Sequence, residues 1–184
     1  MVAVNSTMLP LGTAAPDFRL PDTNGKAVAT SDFKGNPLLV MFICNHCPYV
    51  KAVVDRIVRD ANELKACGIN TVAISSNDAE HYPEDSFVNM KRFAKAHGFT
   101  FPYLYDESQE VARRYDAVCT PDFFGFNGKL ELQYRGRLDA SRREAGPADA
   151  RRELFEAMKQ VAETGTGPRE QTASMGCSIK WKAA

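Results

Sequence analysis

The sequence predicts an α/β fold in one domain, built on a β-sheet with helices packed against it. Two apolar runs, LLVMFI and INTVAISS, are each followed by a segment of helical periodicity. A β-α-β-α order of this kind gives parallel strands joined by right-handed crossovers. The 184 residues suffice for a hydrophobic core without disulfide bonds.

The N-terminal half supplies a hairpin and two strand–helix units. Two short strand patterns flank Asn24-Gly25, a dipeptide typical of a tight hairpin turn. The run from Leu38 to Ile43 predicts a central strand. Apolar residues at three- and four-residue spacing from Pro48 predict one long helix that ends at Gly68. INTVAISS then predicts a second buried strand, followed by a helix from Asp85 to His97.

The C-terminal half continues with short elements, a second hairpin, a last helix and a tail. FPYLYD predicts a short strand, and SQEVARRY predicts a short helix with Ser108 as its N-cap. DFFGF and LELQYRG predict a hairpin that turns at Asn127-Gly128. A last helix from Ala148 to Glu163 precedes the tail REQTASMGCSIKWK. The alternation of Ile179 and Trp181 with lysines is typical of an extended segment docked on the domain.

Composition excludes several classes of partner and location. Basic and acidic residues number 23 each, which leaves no cationic surface for nucleic acid or anionic lipid. No stretch approaches the roughly 20 apolar residues of a membrane span, and the N-terminus lacks the pattern of a signal peptide. Five cysteines, an odd number, do not suit a secreted disulfide framework. We therefore expect a cytoplasmic protein whose closely spaced cysteines are catalytic or metal-binding.

The segment CNHC places Cys47 where the central strand passes into a helix. Pro48 follows at once, and proline is favoured at the first helical position, so Cys47 is the expected N-cap. Free backbone N–H groups and the helix dipole at that end stabilise a thiolate and lower its pKa. Lys51 is a cation in the first helical turn, which a nearby thiolate would explain; a solvated lysine explains it equally well.

Cys44 is the predicted partner of Cys47. Only two residues lie between them, so the two Cα atoms can approach the separation that a disulfide needs. This favours a redox pair over two inert buried cysteines. His46, between them, is expected to be an exposed loop histidine, and Cys67, at a helix end, is expected to be structural.

The segment CTPDFF places Thr120 and Pro121 at the entry to a strand. Proline removes a hydrogen bond from a sheet, so it is confined to strand starts and special conformations such as a cis peptide bond. The sequence therefore predicts a cis bond between Thr120 and Pro121.

These features together resemble the thioredoxin fold. The blocks CNHCPYVK and CTPDFF, with the tail GCSIKWK, are similar to a group of peroxiredoxin-like (AhpC/TSA-like) thioredoxin-family proteins over nearly the whole chain. The resemblance implies a central mixed sheet flanked by helices, a peroxiredoxin-type N-terminal hairpin in an extension over residues 1–36, a core over 37–164 and an extended tail over 165–184. It also implies that the cis-proline loop, Thr120 and Pro121 with Cys119 as a further neighbour, lies against Cys47.

Two departures from the family patterns bear on the predicted chemistry. Alignment on the central strand puts the attacking cysteine of thioredoxins at Cys47 and their second cysteine at Val50, so the usual resolving position is empty. The peroxiredoxin signature places a proline at Val40 and a threonine at Cys44, and both are missing. The resemblance therefore favours disulfide formation over efficient peroxide reduction.

We predict a thiol oxidoreductase of antioxidant type in which Cys47 attacks a disulfide or a peroxide. Cys44 is the favoured resolving cysteine, Cys119 is the second candidate, and Cys177, in the tail, is a third. A thiol donor such as thioredoxin or glutathione would reset the pair. No cofactor is expected, and a homodimer is left open.

Metal binding is the main alternative. Soft ligands suitable for copper(I) or zinc are offered by Cys44, His46, Cys47 and Cys119. Sco-type copper proteins also carry paired cysteines before a proline on a thioredoxin fold, but their cysteines are spaced differently. A third hypothesis is a thioredoxin-fold interaction module without turnover.

Overall fold

A computed structural model describes residues 2–184 of the chain. The strands in these residues are β1 (Ala3–Asn5), β2 (Arg19–Pro21), β3 (Ala27–Ala29), β4 (Leu38–Phe42), β5 (Asn70–Ser75), β6 (Tyr103–Tyr105), β7 (Cys119–Thr120), β8 (Asp122–Phe126), β9 (Leu132–Tyr134) and β10 (Met175–Ser178). The α-helices are α1 (Pro48–Lys51), α2 (Val54–Ala66), α3 (Phe87–Ala96), α4 (Glu110–Arg114) and α5 (Glu153–Thr164). Short 3-10 helices cover Thr30–Phe33 and Pro83–Asp85.

The central sheet has five strands in the order β6-β5-β4-β8-β9. Strands β4, β5 and β6 are parallel to one another, and β8 pairs antiparallel with both β4 and β9, so the sheet is mixed as predicted. Every residue of β4 is buried, which matches its unbroken apolar sequence, because a strand covered on both faces has no solvent side. Both predicted hairpins are confirmed, as β2–β3 and β8–β9.

Alternate residues of β4 feed two cores on opposite faces of the sheet. Leu39 and Met41 lie in the core that contains the buried residues of α2 and α5. Val40 and Phe42 lie in the core that α4 covers from the other side. Because side chains alternate along a strand, β4 packs against helices on both faces of the sheet, and this packing fixes the position of its C-terminal end.

The structure corrects three predicted helix boundaries. The long helix predicted from Pro48 is interrupted: α1 ends at Lys51, and α2 begins after Val53, whose ψ of 2° is not helical. The β-branched valines at this junction lower helix propensity. The last helix begins at Glu153 rather than Ala148, and α4 has Gln109 rather than Ser108 as its N-cap.

The tail forms the middle strand of a second sheet, in the order β1-β10-β7, which the sequence predicted only as an extended docked segment. β10 is antiparallel to both neighbours, and Cys177 lies opposite Thr120. Gly176 makes this pairing possible, because a Cβ atom there would collide with the backbone of Thr120 and Pro121. The backbone of the tail can therefore approach the Thr120–Pro121 bond closely.

None of the helices within residues 2–184 combines the length and apolar character needed to cross a membrane.

Candidate active site

Cys47 stands where the chain leaves β4 and enters α1. Its backbone is extended, with φ −70° and ψ 125°, and it is the N-cap before Pro48, as the sequence predicted. However, α1 is one turn long, so few aligned peptide dipoles stand behind Cys47. The stabilisation of a thiolate must therefore come mainly from its immediate neighbours.

Three groups surround the sulfur of Cys47. The Sγ atoms of Cys47 and Cys177 lie 2.7 Å apart. The carbonyl oxygen of Thr120 lies 3.2 Å from Cys47 Sγ. Cys44 contacts Cys47 from the strand side, and the Sγ atom of Cys44 lies 3.4 Å from the hydroxyl of Thr120. All five cysteines of the chain are free thiols.

These contacts lower the pKa of Cys47 to about 5. The largest cause is the hydrogen bond from the thiol of Cys44; the thiol of Cys177 and the hydroxyl of Thr120 act in the same direction, and burial opposes them. The pKa of Cys44 is raised, first by its hydrogen bond with Cys47 and then by burial. Burial raises the pKa of Cys177 to about 12. The negative charge therefore resides on Cys47, between two protonated thiols.

The peptide bond between Thr120 and Pro121 is cis. It joins β7 to β8, and the Thr120 carbonyl faces Cys47, so Thr120 lies against the sulfur of Cys47. Ser174 holds the next carbonyl, because its hydroxyl donates to the oxygen of Pro121 at 2.8 Å. Cys119 is buried in β7 with its Sγ atom 3.8 Å from the oxygen of Pro121, and it makes no hydrogen bond with Cys47.

His46 is not the exposed loop residue that the sequence predicted. Its Nδ1 atom lies 2.6 Å from the carboxylate of Asp85, and its side chain is 13% exposed. Asp85 is fully buried and also accepts hydrogen bonds from the backbone of Asn45 at 2.7 Å and the amide of Asn77 at 2.8 Å. The interaction with Asp85 raises the pKa of His46, and the charge of Asp85 contributes to the raised pKa of Cys44.

Sequence reasoning gave Asp85 no chemical role. Asp85 follows the loop after β5, and loops at the carboxyl ends of parallel strands meet at one edge of the sheet. The position of Asp85 after β5 was therefore the one sequence feature that could have indicated a place in the site.

The predicted metal ligands are only partly brought together. Within the described chain, the ligand atoms of Cys44, His46 and Asp85 lie within 4.8 Å of one another. Cys47 and Cys119 do not belong to this group, whereas Asp85 was not among the predicted ligands.

Two other residues singled out from the sequence are exposed to solvent. Lys51 is exposed to solvent, and it is not among the causes that lower the pKa of Cys47. This exposure fits a solvated lysine, and a role of Lys51 in stabilising the thiolate stays a prediction. Cys67 is exposed at the C-terminal end of α2.

A buried ion pair supports the cis-proline loop from behind. Arg135 and Asp122 are both fully buried and form an ion pair in which the guanidinium also lies 3.7 Å from the centre of the Phe124 ring. Asp122 comes directly after Pro121, so the pair fixes the start of β8. No sequence pattern distinguished Arg135 from an arginine exposed on a strand.

A cavity of about 310 Å³ lies beside the cis-proline loop. Its lining includes Tyr49 of α1, Pro121, and Ser174 and Met175 next to Cys177, together with the cation of Arg142. The cavity thus borders the elements that surround Cys47.

The family model described as the AhpC/TSA family matches residues 11–137. The chain is 28% identical over 132 residues to the thiol-disulfide oxidoreductase ResA of Bacillus subtilis, covering 71% of this chain and 70% of that protein. It is 30% identical over 124 residues to peroxiredoxin Bcp of Escherichia coli, covering 64% of this chain and 70% of that one. The chain belongs to the AhpC/TSA family.

A solved structure resembles the whole chain, including the tail. It is the crystal structure of an uncharacterized conserved protein from Geobacillus kaustophilus, with 49% identity and a TM-score of 0.94, covering 100% of this chain and 98% of that one. Solved thioredoxin-like structures of lower identity share the architecture of the domain. The predicted thioredoxin-like fold and peroxiredoxin-like family are therefore confirmed.

Proposed function

We propose that this protein is a thiol-dependent oxidoreductase in which the thiolate of Cys47 is the attacking group. The observation that carries the proposal is the set of hydrogen-bond donors around Cys47, which holds its pKa near 5 although the residue is buried. A thiolate is the reactive form of cysteine, and it is the dominant form of Cys47 at neutral pH.

The first step depends on the substrate. With a disulfide, the thiolate of Cys47 attacks one sulfur, a mixed disulfide forms, and the other sulfur leaves as a thiolate that takes up a proton. With a peroxide, Cys47 attacks one oxygen, the O–O bond breaks, and Cys47 becomes a sulfenic acid while an alcohol or water leaves. In both cases Cys47 is oxidised and the substrate is reduced.

The surroundings of Cys47 favour a disulfide substrate. The groups that contact its sulfur are two thiols and the Thr120 residue, and Cys44 occupies the position where the peroxiredoxin signature has a threonine. The cavity beside the cis-proline loop offers an approach to this region for a small disulfide or a protein segment.

Relatives in the family carry names that match both reactions, a thiol-disulfide oxidoreductase and a peroxiredoxin. We therefore propose disulfides as the main substrates, peroxides as slower ones, and a small thiol or a thioredoxin as the donor that resets the site. Action in the cytoplasm and as a homodimer remain predictions.

The test is the reduction of a disulfide and of a peroxide by the full-length chain, with dithiothreitol or thioredoxin as the donor. Cys47→Ser is compared with Cys67→Ser, a matched control because Cys67 is exposed at the end of α2. We expect Cys47→Ser to lower kcat/KM by about 1000-fold or more, as loss of a nucleophile does, while Cys67→Ser stays at the wild-type level. Equal turnover in the two variants would refute the proposal.

Metal binding is the second candidate, favoured by the grouping of Cys44, His46 and Asp85. Thiolate, imidazole and carboxylate ligands suit zinc. The raised pKa of Cys44 counts against it, since a ligand thiol must lose its proton. Stoichiometric zinc that survives dialysis and is lost in His46→Ala would support this candidate; a chain that takes up no added zinc would exclude it.

A further inference from the structure

The tail brings a second thiol to the outer side of Cys47. Cys177 is 130 positions away in sequence, yet its sulfur lies 2.7 Å from that of Cys47. Two neighbours hold β10 in place, since it pairs with β1 on one side and β7 on the other. Cys177 is therefore fixed by the fold rather than carried on a loose end.

From this placement we propose that Cys177 is the resolving cysteine: oxidation joins Cys47 to Cys177 within one chain, while Cys44 remains a thiol that positions the thiolate. This inference rests on the proposed function of Cys47 as the attacking group. It replaces Cys44, which the sequence favoured as the resolving cysteine, and it assigns Cys119 no part in the reaction.

The charges around the two candidate thiols differ in sign. Cys44 has the buried carboxylate of Asp85 nearby, which opposes formation of a second anion there. Cys177 has the ammonium group of Lys180 nearby, which favours an anion; that group also donates to the carbonyl of Ser178 at 2.8 Å. Once Cys47 has reacted, its charge no longer opposes ionisation of either thiol; burial still opposes ionisation of both, and Asp85 opposes that of Cys44 alone.

The resolving step balances for both substrates. From a mixed disulfide, Cys177 loses its proton and attacks the sulfur of Cys47; the Cys47–Cys177 bond forms, the bond to the substrate sulfur breaks, and that sulfur leaves as a thiol. From a sulfenic acid, the same attack breaks the S–O bond, and the hydroxide leaves as water with the proton of Cys177. Two thiols have then become one disulfide, and a thiol donor returns both to the reduced state.

Gly176 provides a way to disturb the step without removing a sulfur atom. A side chain at this position would collide with the carbonyl of Thr120 and the nitrogen of Pro121, which are backbone atoms that cannot rotate away. Gly176→Ala must therefore push β10 outward and move Cys177 from Cys47. Small displacements of a reacting group cost large factors in rate, so we expect closure to slow by about tenfold or more.

The experiment treats the reduced full-length chain with one equivalent of oxidised glutathione, or of hydrogen peroxide, and locates every disulfide by peptide mass spectrometry over time. The variants are Cys44→Ser, Cys177→Ser and Gly176→Ala, with Cys67→Ser as the control. We expect a Cys47–Cys177 disulfide in the wild type, in Cys44→Ser and in Cys67→Ser. We expect Cys177→Ser to accumulate the glutathione adduct or sulfenic acid of Cys47, and Gly176→Ala to accumulate it transiently.

A Cys44–Cys47 disulfide as the main wild-type product would overturn the inference while leaving Cys47 as the nucleophile. Closure in Cys177→Ser at the wild-type rate would do the same. If Cys47 carries no modification in any of the chains that retain it, the proposed function fails as well, so the two failures are distinguished by the state of Cys47.

Discussion

The two thiols that contact Cys47 come from opposite regions of the chain and have opposite surroundings. Cys44 ends the central strand, packs in the core and faces the buried cluster of Asp85 and His46. Cys177 arrives on the tail, in a sheet made of chain termini and the edge of the cis-proline loop, with a lysine nearby. Both thiols are buried in the same core, but Cys44 has a carboxylate nearby and Cys177 has an ammonium group nearby.

This difference separates two tasks that a CxxC motif usually combines. The thiol of Cys44 is kept protonated by its hydrogen bond with Cys47, by burial and by the nearby carboxylate of Asp85, so it is a good hydrogen-bond donor to the Cys47 thiolate and a poor nucleophile. A thiol near a cation, held beside Cys47 by the two neighbours of β10, can ionise once Cys47 has reacted. Cys44 thus suits positioning and Cys177 suits covalent chemistry.

The largest expected effect is on stability after oxidation. A Cys47–Cys177 disulfide closes a loop of about 130 residues and should add about 5 kcal/mol to the free energy of unfolding, whereas a Cys44–Cys47 disulfide should add only about 2 kcal/mol on the same chain-entropy argument. Urea unfolding of the oxidised and reduced chains measures the increment. An increment that survives in Cys177→Ser would break the assignment of the tail thiol.

Asp85→Asn tests the anionic character of the strand side. Loss of the carboxylate leaves buried donors of Asn45 and Asn77 poorly satisfied, so we expect the free energy of unfolding to fall by about 2 kcal/mol. The pKa of His46 should fall, because Asp85 raises it in the wild type.

The sign of the pH dependence follows from that raised pKa. A His46–Asp85 pair stabilises the fold fully below the unfolded pKa of histidine and is lost as pH rises through the folded pKa. The loss of unfolding free energy in Asp85→Asn should therefore be larger in acid than in alkali. Proton NMR of the His46 ring and unfolding at both pH values check this; an unmoved ring titration would show that Asp85 does not control the cluster.

Cys44→Ala removes the largest cause of the lowered pKa of Cys47. We expect the pKa of Cys47 to rise, with the thiolate population near pH 6 reduced by about twofold, while the oxidised product remains Cys47–Cys177. Thiolate ultraviolet absorbance measures the pKa of Cys47, and disulfide mapping identifies the oxidised product. Failure to form any disulfide at neutral pH would mean that Cys44 does more than position the thiolate.

The smallest effect concerns the anchor of the tail. Trp181, the only tryptophan, lies with its ring 4.5 Å from the guanidinium carbon of Arg113. Arg113→Ala should weaken docking of the tail by about 0.5 to 1 kcal/mol and slow closure of the disulfide by a small factor. Tryptophan fluorescence reports docking directly, and an unchanged spectrum would show that the ring is held by other contacts.

Local sequence patterns predict many of the secondary-structure elements of this protein. The central strand, the N-cap position of Cys47, the two hairpins and the docked tail follow from apolar periodicity, proline placement and turn dipeptides. Each of these features depends on residues that are close in sequence, so one sequence is enough to predict it.

The remaining features depend on contacts between distant segments. Cys177 lies beside Cys47 because β10 inserts between β1 and β7. The local sequence MGCS does not predict the register of this pairing. His46 was expected in solvent because its neighbour Asp85 is 39 positions away, with a 3-10 turn that brings it back. Arg135 is likewise buried only because Asp122 lies on the adjacent strand.

The central claim is that Cys47 is a thiolate held between two protonated thiols. The most direct measurement is the titration of thiolate ultraviolet absorbance in the reduced chain, with the curve of Cys47→Ser subtracted. We expect one thiolate, which appears with a midpoint near pH 5 as the pH is raised. A difference curve with its midpoint near pH 8.5, the ordinary value for cysteine, would contradict it.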